Sequence, residues 1–422
     1  MMVDSRTRTM AVLIVAYRSA DKLNSCIASV RRYLPELEVH VWDNSGPQCS
    51  DVRRLASDVP DVHWHLHGDN IGFAAAVNRL AAMVPGQDLL LLNPDAELVG
   101  PLTHTRAAIA EGDTAAAAPM LSDDGGDEPE PSRPLSRTHQ PWDVAHRRRT
   151  VLNALGEVAM AAERSRGTWL SNLYWSQPGD VDGYLTGACL AIRREAWDAL
   201  GPFDEEFFLY GEEADWQRRA IAAGWRIRLA DERGVRHSAQ GTVAGDAKAS
   251  TRSSDLVHAS VALQLEYHHG AAAADLYAAG AYGIDGLKRA LHRDDSRRPQ
   301  SDAVLVVDGP QSPSADEIVS RATVLADEGL DVTVVSLRGL GSLPRELPPA
   351  VRLLRRSWWW PRTWPGDAPT TLLAGATGRE RAAARLFRLR RRGLRVESIE
   401  PTGRPAPSRP MTTVPNLDLE SI

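Results

Sequence analysis

Between Phe207 and Trp216 the chain reads FFLYGEEADW, an aromatic run set directly against Glu212, Glu213 and Asp215. Carboxylates beside aromatics are costly to dehydrate unless something uses them, and a dehydrated carboxylate gains a raised pKa suited to accepting a proton from a hydroxyl. Acids in the first turn of a helix also interact favourably with the helix dipole and end amides, which accounts for part of Asp215. VWDNSG ends a strand-like run in Asp43, which could accept hydrogen bonds from a nucleobase or ribose, or cap a turn. LLLLNPDAEL holds Asn93 and Asp95 either side of a proline, two oxygen ligands at i and i+2 that can point at one hard divalent cation, Mg2+ or Mn2+. His237 follows another strand-like run and could add a nitrogen ligand. GDNIGFAAAVNRL has a glycine and small alanines where a helix starts, which lets a phosphate approach backbone amides. It is not a GxGxxG fingerprint, and no GxxxxGK[ST] loop occurs in the chain.

These residues need a scaffold that brings strand ends together. From Met10 to about Pro119, short apolar runs (AVLIVAY, LEVHVWDN, VHWHLHG, DLLLLN) alternate with amphipathic helical stretches, which predicts crossover units and a mostly parallel sheet. Ligands of such sheets bind outside the carboxyl ends of the strands, which places Tyr17, Asp43 and Asn93–Asp95 on one rim. From 121 to 180 the periodicity fails in an acidic, Pro-rich stretch, after which HRRRTVLNALGEVAMAAERS reads as a helix. GYLTGACLAIRREAWDAL reads as a strand running into a helix, EADWQRRAIAAGWRIRLA as a helix stopped at Gly224 and then a strand, and 253–291 as one long helical region. HRDDSRRPQSD is a charged linker. A second strand–helix alternation from AVLVVDG to LRVESIE predicts a small Rossmann-type half-domain, and the Pro-rich tail predicts disorder.

The bulk composition narrows the class. At 422 residues the chain is long enough for two domains of about 100–200 residues each. Hydrophobic content of 43% and charged content of 25% are those of a soluble globular protein. A net charge of −6 offers no basis for binding nucleic acid. Cys26, Cys49 and Cys189 are too scattered for a disulfide framework or a cysteine zinc site, so a reducing compartment is expected. The N-terminus lacks a signal-peptide core, and the longest apolar runs fall short of the ~20 residues of a spanning helix. A cytoplasmic protein, or one held at the inner face of the cell membrane, is expected.

The ordered combination of VAY, WDNSG, DNIGFAAAVN, LLLLNPDAEL, TGACLAIRREAWDALGPFDEEFFLYGEEADWQRRAIAAGW and then a histidine resembles the inverting glycosyltransferases of family 2, in particular their rhamnosyltransferase-like branch. The resemblance covers about residues 10–270 and is most specific from Gly183 to Trp225. It implies a GT-A fold, an α/β architecture with a Rossmann-like mixed sheet flanked by helices, over 10–291. Residues 121–180 would be a variable acceptor-side insertion, 292–302 a linker, 303–400 the small C-terminal α/β domain and 401–422 the tail. Ala16 and Tyr17 match the loop after the first strand, and Asp43 the acid that contacts the base. Asn70, Gly72 and Asn78 match the segment lining the nucleotide. Asn93-Pro94-Asp95 stands where the family has its DxD metal motif, with Asn in place of the first acid, which leaves Asp95 as the main metal carboxylate. His237 matches the strand-end histidine that completes the metal site, and Thr186, Gly187 and Ala188 the floor against the donor sugar. Gly211-Glu212-Glu213 matches a GED triplet whose acid is the base, so Glu213 takes that position, with Glu212 close enough to compete for it.

The resemblance therefore implies an inverting transferase with a nucleoside-diphosphate sugar as donor, dTDP-rhamnose first and a UDP-hexose second. The acceptor would be a glycan or lipid-linked saccharide of a cell-wall or surface polysaccharide. Two rival readings are a catalytically degenerate scaffold and a sugar-phosphate nucleotidyltransferase. The latter needs a basic, Gly-rich loop near the first strand, which VAYRSADK is not. RRSWWWPRTW mixes Arg and Trp as membrane-interfacial segments do, or forms a partly buried aromatic cluster.

Overall fold

The computed structural model describes residues 9–46, 49–122, 140–174, 178–237, 247–292, 301–357, 359, 371–390 and 395–398. The acidic Pro-rich stretch after Ser122, most of the charged linker, the polar loop after His237, RRSWWWPRTW beyond Ser357 apart from Trp359, and the tail lie outside the described residues.

Eleven strands come from the first part of the chain: β1 (Met10–Ala16), β2 (Glu38–Asp43), β3 (His63–His65), β4 (Asp88–Leu92), β5 (Ala96–Leu98), β6 (Thr114–Leu121), β7 (Ala145–Arg147), β8 (Gly179–Asp180), β9 (Gly183–Leu185), β10 (Cys189–Ile192) and β11 (Arg226–His237). Nine of them form one mixed sheet in the order β3-β2-β1-β4-β10-β6-β11-β5, with β8 on the flank of β11, while β7 and β9 pair separately. β1 pairs in parallel with β2 and β4, and β10 runs antiparallel between β4 and β6. β11 lies parallel to β6. This topology decides where the polar residues go. The carboxyl ends of β1, β2, β4 and β11 and the amino end of β10 all reach the same rim. Ala16 sits opposite Asp43 there, and Leu92 opposite Cys189.

β1 and β4 are buried along their whole length, and helices cover both faces of the sheet. The helix Ala20–Tyr33 covers one face through Leu23, Cys26, Ile27 and Val30. The helix Phe73–Met83 covers the other through Ala74, Ala76, Val77 and Leu80. Small alanines on the latter let it lie close to the strands.

A second sheet is entirely parallel, in the order β14 (Arg352–Arg355), β13 (Val332–Ser336), β12 (Ala303–Val307), β15 (Thr371–Ala374), β16 (Arg395–Ser398). It is fastened to the first sheet's surroundings rather than hung from them. Leu256 and Ala259 of the helix Ala247–His269 share one buried cluster with Leu305, Ile318 and Leu353, and Phe208 and Leu209 pack against that cluster. Arg252 donates to the carbonyls of Pro344, Pro348 and Val351. Arg345 donates to the carbonyl of Ile71 at 2.9 Å and pairs with Glu205 at 3.5 Å.

Four local readings change. HRRRTVLNALGEVAMAAERS is not one helix: β7 uses its start, Thr150 and Asn153 form a reciprocal capping box, and the helix spans only Val151–Val158. The long helical region breaks at Gly270, whose φ of 83° no helix continues, into Ala247–His269 and Ala271–His292. VHWHLHG contributes only three residues to the sheet. GYLTGACLAI forms two strands with Thr186–Ala188 as the turn between them.

Gly72 begins the helix Phe73–Met83 with φ 86°, and a Cβ there would lie 2.7 Å from the Phe208 carbonyl and 2.8 Å from its ring. Phe73 N donates to that carbonyl at 2.8 Å. Gly72→Ala is therefore expected to destabilise the protein by about 1–3 kcal/mol. Urea unfolding measures this, and an unchanged midpoint would contradict the close approach.

Candidate active site

The loop from Phe203 to Gly211 delivers the two central carboxylates. Tyr210 (φ 70°) and Gly211 (φ 96°) turn the chain sharply into the helix Glu212–Ala222. Gly211 is required twice over, because a Cβ would meet the Gln264 amide at 2.2 Å. Gln264 donates instead to the Gly211 carbonyl, and Ser260 donates to that of Leu209, so the helix Ala247–His269 holds the loop from behind.

Glu212 is buried, and its Oε2 meets no hydrogen-bond partner. Burial first, and repulsion from Glu213 second, push its pKa well above the carboxylate range. Glu213 is half-buried, and its Oε2 accepts a hydrogen bond from Gly211 N at 3.2 Å. Burial raises its pKa too, but backbone donors and the Arg149 cation oppose the rise. Of the two, Glu213 is therefore the easier to ionise.

Asp215 does something different. It is buried and pairs with Arg219 at 3.0 Å, and Arg219 also donates to the carbonyls of Leu200 and Pro202. This acid ties the helix to the start of the loop.

Arg149 lies beside the Glu213 side of the helix and was not singled out by sequence. Its guanidinium donates to Glu157 at 2.6 Å and to the Tyr184 hydroxyl at 2.7 Å. Burial works against its charge, yet Tyr184 and Glu157 keep it fully cationic. Burial lifts the Tyr184 phenol to about 12 and lowers the neighbouring His146 to about 4. Gln217 was also missed. Its amide exchanges two hydrogen bonds with the Leu185 backbone, both 2.8 Å, and docks the acid-bearing helix onto the strand that leads into Thr186–Ala188. Spacing offered a hint of Gln217, which falls one helical turn after Glu213; for Arg149 there was none.

From Thr186–Ala188 the rim continues. Asn93 N donates to the Ala188 carbonyl at 3.0 Å. Asp95 Oδ1 lies 3.3 Å from His237 Nε2, and Asn93 Nδ2 lies 3.4 Å from the same nitrogen. The antiparallel pairing of His237 with Ala96 brings these residues together across 142 positions of sequence. One carboxylate oxygen and one imidazole nitrogen at this separation suit two ligands of one divalent ion, which at roughly 2.0–2.2 Å each would sit about 3 Å apart.

Asp43 is buried at the tip of β2, and one carboxylate oxygen accepts from Ser45 N at 2.9 Å. Tyr17 follows Ala16 at the tip of β1, with the Arg18 guanidinium over its ring. Asn44, unremarked in sequence, accepts from Ile71 N and donates to the Gly72 carbonyl, fastening the β2 tip to the start of the next helix. Asn70 Oδ1 accepts from Gly72 N. Asn78 lies farther along that helix and spends its amide on the Phe203 backbone and Glu205.

No protein-family profile matches the chain. Two curated proteins of Mycobacterium tuberculosis strains, both N-acetylglucosaminyl-diphospho-decaprenol L-rhamnosyltransferases, are 25% identical over 235 residues, covering 52% of this chain and 72% of theirs. Among solved structures, a Pyrobaculum calidifontis mannosyltransferase in complex with GDP-Man and Mn2+ overlaps 77% of this chain and 83% of its own at 14% identity and TM-score 0.40. S. aureus TarS residues 1–349 in complex with UDP-GlcNAc overlaps 74% of this chain and 80% of its own at 13% identity and TM-score 0.38. The mixed sheet flanked by helices is an α/β architecture, and the curated relatives support a transferase enzyme. The sequence likeness is to rhamnosyltransferases.

A carboxyl group whose pKa is raised on folding binds its proton more tightly in the folded state, so its contribution to stability falls as pH rises above the unfolded value. Glu212→Gln keeps the shape and removes the charge cost. It is expected to raise the thermal midpoint at pH 8 and to change it much less at pH 5. Differential scanning fluorimetry across pH checks this, and a gain confined to acidic pH would reverse the assignment.

Proposed function

We propose that the protein transfers a sugar, with inversion, from a nucleoside diphosphate carrier to a hydroxyl of a lipid-linked glycan acceptor in cell-wall or surface polysaccharide synthesis. L-rhamnose on dTDP is the first donor and a UDP-hexose the second. The observation that carries the reading is the pair Glu212–Glu213 at a helix start docked through Gln217 onto the strand that leads into the Thr186–Ala188 turn, with Asn93, Asp95 and His237 joined to that turn. The acceptor of the rhamnosyltransferase relatives, N-acetylglucosaminyl-diphospho-decaprenol, supports the lipid-linked class.

In this reading Asp43, Tyr17 and Ala16 receive the nucleoside, the Asn70–Gly72 helix start faces the diphosphate, and Thr186–Gly187–Ala188 floors the donor sugar. Asn78 serves that site by holding the 203–205 backbone. Glu213 is the base: its carboxylate accepts the acceptor hydroxyl proton as the oxygen attacks the anomeric carbon and the diphosphate leaves from the opposite side. Glu212, whose pKa burial pushes well up, sits beside it, Asp215 holds the helix, and the Arg149 cation favours the ionised form of Glu213. A Mg2+ or Mn2+ ion held by Asp95 and His237 would neutralise charge growing on the leaving diphosphate.

A nucleotidyltransferase reading finds no support, because β1 leads through Tyr17, Arg18 and Ser19 directly into the helix Ala20–Tyr33 with no Gly-rich basic loop. Among the described residues no helix is long and apolar enough to cross a membrane. Of RRSWWWPRTW, Arg355 and Ser357 are buried and Trp359 is exposed, and peripheral docking at the inner membrane face finds further support elsewhere. Leu152, Met160, Trp169, Leu276 and Leu287 are exposed on segments adjoining Arg149, and a lipid-borne acceptor would reach the site from that side.

Glu213→Gln is expected to cut transfer from dTDP-rhamnose by about 100-fold or more while donor binding is retained. Its pH–rate profile should lose the acidic limb, which in the natural protein lies above the ordinary carboxylate range because the Glu213 pKa is raised. Asp95→Ala should abolish the strengthening of nucleotide binding by Mn2+ in calorimetry. Full activity in Glu213→Gln would overturn the base assignment, and a folded protein that binds no nucleotide would turn the reading toward a scaffold.

A further inference from the structure

Away from the rim, the edge of the first sheet carries a row of imidazoles for which glycosyl transfer has no use. His40 on β2 stands in register with His63 on β3, and Trp42 with His65. Side chains two apart on a strand share a face, so Glu38, His40 and Trp42 line up beside His63 and His65. The rings of His40 and His63 stack at 4.4 Å, and those of His40 and His65 lie 5.8 Å apart. His40 is only 7% exposed, and neither of its ring nitrogens has a hydrogen-bond partner. A buried polar ring left so is costly, since each such nitrogen forfeits the water it had when unfolded. Its Nε2 faces Glu38 Oε2 at 3.7 Å, too far for a hydrogen bond. One donor atom each from Glu38, His40 and His63 lies within 4.8 Å of the others.

We propose that Glu38, His40 and His63 form a second metal site, selective for a nitrogen-preferring transition ion with Zn2+ as the best fit, which cross-links β2 to the edge strand β3. Two imidazoles and one carboxylate with a position left for water are a zinc-type ligand set, whereas Mg2+ and Mn2+ prefer oxygen. Small rotations of the exposed Glu38 and His63 side chains would bring their donors to the roughly 3.3 Å spacing that a tetrahedral ion imposes. The site is separate from the rim: His40 lies three residues before Asp43, about 10 Å back along the strand. Its role is to hold the edge. β3 has only three residues and a single neighbour, and β2 ends in the Asp43 that the donor site uses.

The test titrates the metal-free full-length protein with ZnCl2 by calorimetry and follows the thermal midpoint, with Co2+ absorption as the reporter of coordination. One Zn2+ per chain is expected, with a raised midpoint and a tetrahedral Co2+ spectrum. His63→Ala and Glu38→Gln, both at exposed positions that should fold normally, are expected to weaken that binding by about tenfold or more each. The double variant Asp95→Ala/His237→Ala should keep it. Zn2+ binding that survives His63→Ala, or that disappears in Asp95→Ala/His237→Ala, would overturn the proposal, as would no binding by the natural protein.

Discussion

Two carboxylates dehydrated at the start of one helix repel each other's charge, and much of the architecture around Glu212 and Glu213 answers that constraint. The sharp turn through Tyr210 and Gly211 admits them, Gln264 fills the space a Cβ would take, and Gln217 fixes the helix against the strand before Thr186. The asymmetry between the two acids comes from their neighbours. Glu213 has an amide donor and the buried Arg149 cation, whereas Glu212 has an unpartnered oxygen. On the proposed reading, two like groups pushed apart in this way would divide the labour of holding and accepting a proton. A buried guanidinium needs its own compensation, which explains why Glu157 and Tyr184 surround Arg149.

The same constraint gives the second sheet a place in the argument. The loop from Phe203 to Gly211 carries the acids, and Phe208 and Leu209 lean on the core beneath β12 and β13. Phe208 also presses on Gly72, and Arg345 reaches from the second sheet's side to the Ile71 carbonyl. One loop therefore touches the helix start at Gly72, the acid-bearing helix and the second sheet's core. Packed interiors transmit small displacements rather than absorbing them, so the second sheet bears on both helices.

The sequence made some of this legible and hid the rest for identifiable reasons. β1 and β4, apolar throughout, could only be buried central strands, and the residues ending them had to meet at a rim. The partnership of Asp95 with His237 was only a possibility in the residues and firmer in the family resemblance, since the two meet only because β5 and β11 pair antiparallel. Arg149 was hidden in a stretch without periodicity, read as a helix beginning at His146. The capping box at Thr150 starts the helix later, so His146 lies in β7 and Arg149 just before the cap, where it reaches Tyr184. Asp215 looked like a third catalytic candidate because charge and spacing cannot distinguish a proton acceptor from a buried partner of Arg219.

The Asn at position 93 has a structural logic of its own. Among the described residues the rim brings Asp95 and His237 together, and Asn93 directs its amide nitrogen toward the histidine, so a cation held there would have an incomplete protein shell. A second carboxylate there would hold a cation tightly whether or not a donor was present. An incomplete shell instead makes cation and diphosphate bind together, because each supplies what the other lacks: oxygens for the ion, positive charge for the phosphates. On the proposed reading, binding of the two would be coupled, and departure of the diphosphate would remove most of what held the ion. Asn in place of a second acid would thereby link metal release to product release.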